Sequence, residues 1–214
     1  YPPNLRKLAL CPIKANEGAA ILPSNLTWLS IASFLSQPHS IVLPVNLTAL
    51  SISVPLFRGT LPLFPAKLTK LHLDMGSVSE LPETFPGGLT SLNISFRVMV
   101  IEANNWLLKL PWLTLKTLKH SGTIFLPWLR ALPPTPALTT LNVRRVPRSS
   151  WPERFSYIQP EHLALLPASV TDLMIPVHSP QQKPWSLSCL QHLISLQALT
   201  IDTDAPVKAF SEDQ

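Results

Sequence analysis

Nothing narrows the folds open to this chain more than its repetition. The stretch "LPSNLTWLSI" at 22–31 returns 21 residues later as "LPVNLTALSI" at 43–52. Anchored on the first apolar residue of each frame, the copies begin at Leu5, Leu26, Leu47, Leu68 and Leu89, then at Leu115, Leu138, Val170 and Leu196. The first four intervals are 21 residues and the later ones are 26, 23, 32 and 26. Three residues past the anchor stands Leu in every copy: Leu8, Leu29, Leu50, Leu71, Leu92, Leu118, Leu141, Leu173 and Leu199. Five past it the column is Leu10, Ile31, Ile52, Leu73, Ile94, His120, Val143, Ile175 and Ile201. Three before it lie Pro2, Pro23, Pro44, Pro65, Pro86 and Pro167.

Apolar residues at +3 and +5, with polar ones at +2 and +4, have the period of a strand buried on one face. A strand of about five residues cannot bury that face alone, so copies must stack side by side into one parallel sheet. Proline fixes φ just ahead of each strand and biases the residue before it to an extended shape. The rest of each unit must return the chain to its start. Without helical periodicity, that return is expected to be extended or 3₁₀.

Composition agrees. Apolar residues are 46% of the 214 and charged residues 14%, which excludes a disordered chain. Twenty-four prolines against six glycines rule out long helices and unbroken central strands. No apolar run reaches the ~18 residues of a membrane-spanning helix. The net charge of +5 allows an acidic partner without demanding one.

The L-x-x-L-x-[LI] frame resembles the leucine-rich repeat family, whose units run about 20 to 29 residues. The Leu-Pro opening is similar to the short bacterial-type and amoeba-type repeats. "LPSNLTWLSIASFLSQP" at 22–38, with Phe34 and Gln37-Pro38, also has the character of FNIP repeats. The resemblance implies an α/β-type repeat solenoid: a right-handed coil with one parallel β-sheet on the concave face and mostly extended or 3₁₀ convex segments. It covers residues 1–205, as regular units over 1–95 and irregular ones over 96–205, and leaves 206–214 as a polar tail. The chain departs from the family eight residues past the anchor, where a ladder asparagine is usual. Ile13, Phe34, Pro55, Gly76 and Arg97 stand there, so irregular turns with other donors and acceptors are expected. A parallel β-helix would need two or three strand patterns per coil, and only one is found.

Cys11 and Cys189 fall eight coils apart, roughly 38 Å at the strand spacing, and are not expected to pair. With no cysteine-rich cap, the lean is to an intracellular setting. Tyr1 opens the chain inside a frame without a signal-like segment, as expected of a fragment or processed product. Asn25-Leu-Thr, Asn46-Leu-Thr and Asn93-Ile-Ser match a glycosylation sequon. All three fall within the repeat frame and are read as its by-products.

The six histidines show no metal-ligand spacing, and no phosphate loop, nucleophile elbow or carboxylate pair emerges. No enzyme, cofactor or metal site is expected. His120 is the one polar residue in the +5 column. A buried, hydrogen-bonded core histidine is one reading; "LPWLTLKTLKH" carries one residue too many between Pro111 and Leu115, so a local register shift is the expectation favoured there.

In such a solenoid the outward strand positions face a partner. The candidates on that face are Trp28, Lys70, His72, Asn93, Lys119, Asn142, Arg144 and Asp172, with Trp28 the aromatic anchor. Residues 106–154 hold eight basic side chains against one acid, Glu153, together with Trp106, Trp112, Trp128 and Trp151. That mixture suits an acidic protein surface or, as the weaker reading, single-stranded nucleic acid through 109–154. The tryptophans also suit the filling of long irregular coils. The expected function is a non-catalytic protein-interaction module with a protein partner. The alternative, implied by the Leu-Pro repeat resemblance, is the substrate-recognition or autoinhibitory arm of a larger enzyme such as a ubiquitin ligase.

Overall fold

The computed structural model describes residues 1–11, 22–32, 42–54, 61–78, 84–99, 108–121, 132–133, 136–144, 163–177 and 190–203. Every frame in them forms a strand: β1 (Lys7–Leu10), β2 (Trp28–Ala32), β3 (Ala49–Val54), β4 (Lys70–Val78), β5 (Ser91–Met99), β6 (Thr117–Ser121), β7 (Thr140–Arg144), β8 (Asp172–Val177) and β9 (Ala198–Thr203). They form one sheet in chain order, each strand parallel to the next. The unit carrying each strand is called a coil below. The expected strand length of about five residues is too short for β4 and β5, which run nine. Gly76 and Arg97, the expected turn positions, lie inside these two strands.

Pairing follows the repeat frame residue for residue. Leu29, Leu50, Leu71, Leu92, Leu118, Leu141, Leu173 and Leu199 are successive partners. The anchors from Leu26 to Val170 are fully buried, and so are most of the +3 and +5 residues behind them. Burying one such side chain contributes roughly 1.5–3 kcal/mol, gained only when a neighbouring coil covers it. The end coils show the converse. Leu5, Leu8 and Leu10 are only partly buried, and Leu199 is 37% exposed.

A further inward column forms four residues before the anchor, at Leu22, Leu43, Phe64 and Phe85. The last two rings stack with centroids 6.2 Å apart and planes 30° from each other. The regular coils turn into their strands through the same bond, the anchor N–H donating to the carbonyl three residues back. Leu26 bonds Pro23, Leu47 bonds Pro44, Leu68 bonds Pro65 and Leu89 bonds Pro86 in this way, at 3.0–3.2 Å.

The expected register shift at His120 does not occur. His120 pairs with Ile94 on one side and Val143 on the other, and its side chain is buried in the inward column. The extra residue is absorbed ahead of the strand, where the turn widens. Leu115 N–H and Thr114 N–H both donate to Pro111 O, at 2.9 and 3.0 Å. Trp112 is carried into the core by that wider turn. Slipping the strand by one residue would have moved its whole Leu face to solvent, whereas widening a turn moves nothing else.

The convex segments, Cys189, Trp106, Trp128, Trp151 and the tail at 206–214 lie outside the described residues. No helix of the described residues is long and apolar enough to cross a membrane.

Candidate functional site

The sheet's outward face is built by the same period that builds the core. Along β2, Leu29 and Ile31 point in and are buried, which leaves Trp28 and Ser30 on the other side, half-buried. Since the strands are in register, each outward position lines up with its equivalents across the whole sheet, one strand spacing of about 4.8 Å apart.

Two rows result. The +2 row runs Lys7, Trp28, Ala49, Lys70, Ser91, Thr117, Thr140, Asp172, Ala198. The +4 row runs Ala9, Ser30, Ser51, His72, Asn93, Lys119, Asn142, Met174, Thr200. The candidates therefore fall together on one surface. His72, Asn93, Lys119 and Asn142 are consecutive neighbours in a single row. Lys70 stands beside that row on β4, and Trp28 lies two strands from Lys70 across Ala49. Asp172 flanks the far end, next to Thr140, and Arg144 closes β7 opposite Ser121.

The face is uneven in height. Around Trp28 it is floored by Ala9, Ser30, Ala49 and Ser51, so the indole stands beside a shallow, flat area. Lys70, Lys119 and Asp172 are exposed, while His72, Asn93 and Asn142 are half-buried between neighbouring strands. Ser53 Oγ donates to Asp74 Oδ2 at 3.2 Å and ties β3 to β4 at the next outward position. Asn142 Oδ1 is buried and accepts no bond from a described residue. Such an acceptor costs about 1–3 kcal/mol, so stability does not select Asn at this place.

The basic stretch is only partly visible. Lys109, Lys116 and Lys119 are exposed, but Lys116 lies at +1, ahead of its strand, and Lys119 on the outward face. Arg130, Arg145, Arg148 and Arg154 lie outside the described residues. Trp112 fills the core, as the packing reading of the tryptophans expects.

One set of residues acquires a role that sequence reasoning missed. The +1 threonines form a hydrogen-bonded ladder along the rim where the strands begin. Thr48 Oγ1 donates to Thr27 O, Thr69 Oγ1 to Thr48 O and Thr90 Oγ1 to Thr69 O, at 3.0–3.1 Å. Thr27, Thr139 and Thr171 each repeat this at 3.2 Å onto the coil before. The same carbonyls also accept two backbone N–H groups from the next coil, as Thr27 O does from Thr48 and Ala49. In the sequence these threonines register only as a recurrent letter at +1, two of them, Thr27 and Thr48, as the last residue of a sequon. Two of the three sequon asparagines lie on the rim as well: Asn25 Nδ2 donates to Pro3 O at 3.0 Å and Asn46 Nδ2 to Ser24 O at 3.4 Å, while Asn93 stands in the outward row of β5.

No group of three or more potential metal ligands is found among the described residues. No family model matches the chain, and no curated protein matches it either. Among solved structures it is similar to CroV588, described as a novel circular LRR protein. The TM-score is 0.51 at 20% identity, and the match covers 95% of this chain and 31% of that one. The chain thus spans about a third of the length of the structure it resembles. At this identity the likeness establishes the fold. The nine parallel strands of the described residues, in one open sheet with one per repeat, are a leucine-rich-repeat solenoid.

Proposed function

We propose that this leucine-rich-repeat solenoid is a non-catalytic protein-interaction module that holds its partner on the outward, concave face of the sheet. The observation that carries the reading is the contrast between the two faces. Inward positions repeat the same aliphatic residues coil after coil, because each must fill the same space. Outward positions in the same strands mostly change from coil to coil, with only Ser30–Ser51 and Thr117–Thr140 repeating between neighbours along the two rows, although the core does not dictate them. A polar row with one aromatic at its edge, Trp28 followed by Lys70, His72, Asn93 and Lys119, suits a protein surface with acidic groups. Arg144 and Asp172 extend the row toward the last coils.

The test is a variant carrying Trp28→Ala, Lys70→Ala and Lys119→Ala. Partner recovered by affinity capture should fall at least tenfold, with the melting temperature and far-ultraviolet circular dichroism unchanged. Undiminished capture by the triple variant sinks the outward-face reading. An arm of a larger enzyme would use the same surface, with the substrate or the enzyme's own catalytic domain in the partner's place.

A further inference from the structure

The rim where the strands begin carries a second concave feature, separate from the outward face. A polar cleft of about 430 Å³ spans the first four coils. Asn4, Asn25 and Asn46 stack along its floor at one-coil intervals, the position before each anchor. Arg6 stands at one end and Lys67 at the other, and no carboxylate among the described residues lines it.

Its hydrogen-bonding capacity is specific. Asn25 uses Nδ2 to hold Pro3 O, and among the described residues its Oδ1 accepts nothing. Thr27 and Thr48 have committed their hydroxyl hydrogens to carbonyls of the preceding coils, so they offer only lone pairs. Lys67 Nζ donates to Asn46 Oδ1 at 2.9 Å and keeps its other hydrogens. Arg6 and Asn4 engage no described side chain. The middle of the cleft therefore asks for N–H or O–H donors and both ends ask for negative charge.

We propose that this rim cleft docks an extended acidic peptide segment with two carboxylates four residues apart. Arg6 and Lys67 belong to coils three strand spacings apart, roughly 14 Å. An extended peptide rises about 3.4 Å per residue, so four residues cover that span. Residues i and i+4 also project to the same side of an extended chain. A peptide laid across the coils thus presents both acids to the two cations and its backbone N–H groups to the asparagine and threonine oxygens between them. This inference does not rest on the outward-face reading, because the two surfaces share no residue named here.

The experiment is fluorescence polarisation with the full chain and a labelled ten-residue serine-threonine peptide carrying Asp at positions 3 and 7. Binding should be at least tenfold tighter than for the same peptide with Asn at both positions, and tighter than with Asp at 3 and 6. Arg6→Gln and Lys67→Gln should each weaken it at least threefold with unchanged melting temperature, while Trp28→Ala should leave it alone. Equal affinity for the Asp and Asn peptides overturns the proposal. So does loss of spacing preference together with tighter binding of a sulfated polysaccharide such as heparin, which would make the cleft a site for glycan polyanions.

Discussion

Thr48 and Leu50 sit two residues apart and stabilise the same junction by different physics. The Thr48 hydroxyl bonds Thr27 O, but that carbonyl still accepts two backbone N–H groups when the hydroxyl is removed. Thr48→Val should therefore cost only about 0.5–1 kcal/mol, the net value of one exposed hydrogen bond with no orphan left behind. Leu50 is 2% exposed in the middle of the stack. Leu50→Ala removes buried methyl groups and leaves a cavity, which should cost about 2–5 kcal/mol. Urea unfolding of the two variants checks the ordering, and a Thr48→Val loss as large as that of Leu50→Ala would contradict it. The inward leucines are legible in the sequence because burial restricts them to a few aliphatic side chains. The threonine column was equally visible but not interpretable, since a hydroxyl bonded to the coil before it has the same letter as one facing water.

At the scale of the element, a coil tolerates extra length wherever the strand register is left alone. The turn ahead of β6 shows how, with Pro111 O accepting from both Thr114 and Leu115 while Trp112 fills the space the wider loop creates. Trp112→Ala should lose about 3–5 kcal/mol, as expected for a buried aromatic, and the midpoint of chemical denaturation measures it. Loss of under 1 kcal/mol would mean that the indole only lies over the core. The pattern of residues misled at this coil for a physical reason: one added residue is compatible with a slipped strand or a widened turn, and only packing decides between them. The inward column of Leu22, Leu43, Phe64 and Phe85 was hidden for a related reason, because an aliphatic and an aromatic residue can occupy equivalent places without sharing a letter. The outward candidates were found in position, since strand alternation dictates which side they take. A binding role at these positions would depend on a partner's chemistry, which the repeat frame does not encode.

For the whole molecule, stability is a sum over neighbouring coils, and the junctions are unequal. β4 and β5 share eight paired positions, whereas β7 and β8 share three, Thr140 with Asp172, Leu141 with Leu173 and Asn142 with Met174. The narrow junction coincides with the 32-residue interval in the repeat. In a nearest-neighbour stack the weakest interface governs where partial opening occurs. Amide hydrogen exchange should show β8 and β9 opening together at lower free energy than β3, β4 and β5. Uniform protection across all nine strands would show that the stack opens only as one unit.

The threonine ladder has a consequence for how such a chain can change over generations. From Leu26 to Leu89 each anchor is followed by Thr, and the hydroxyls of Thr48, Thr69 and Thr90 each donate to the carbonyl of the Thr one coil earlier. The bonding surfaces offered by successive coils are therefore interchangeable. Removing or duplicating one 21-residue unit would join surfaces that already match, with no compensating substitution. Length is thus the most easily inherited variable of this half of the molecule, and the rim cleft, which needs a fixed number of coils between Arg6 and Lys67, is the feature that would hold that length constant.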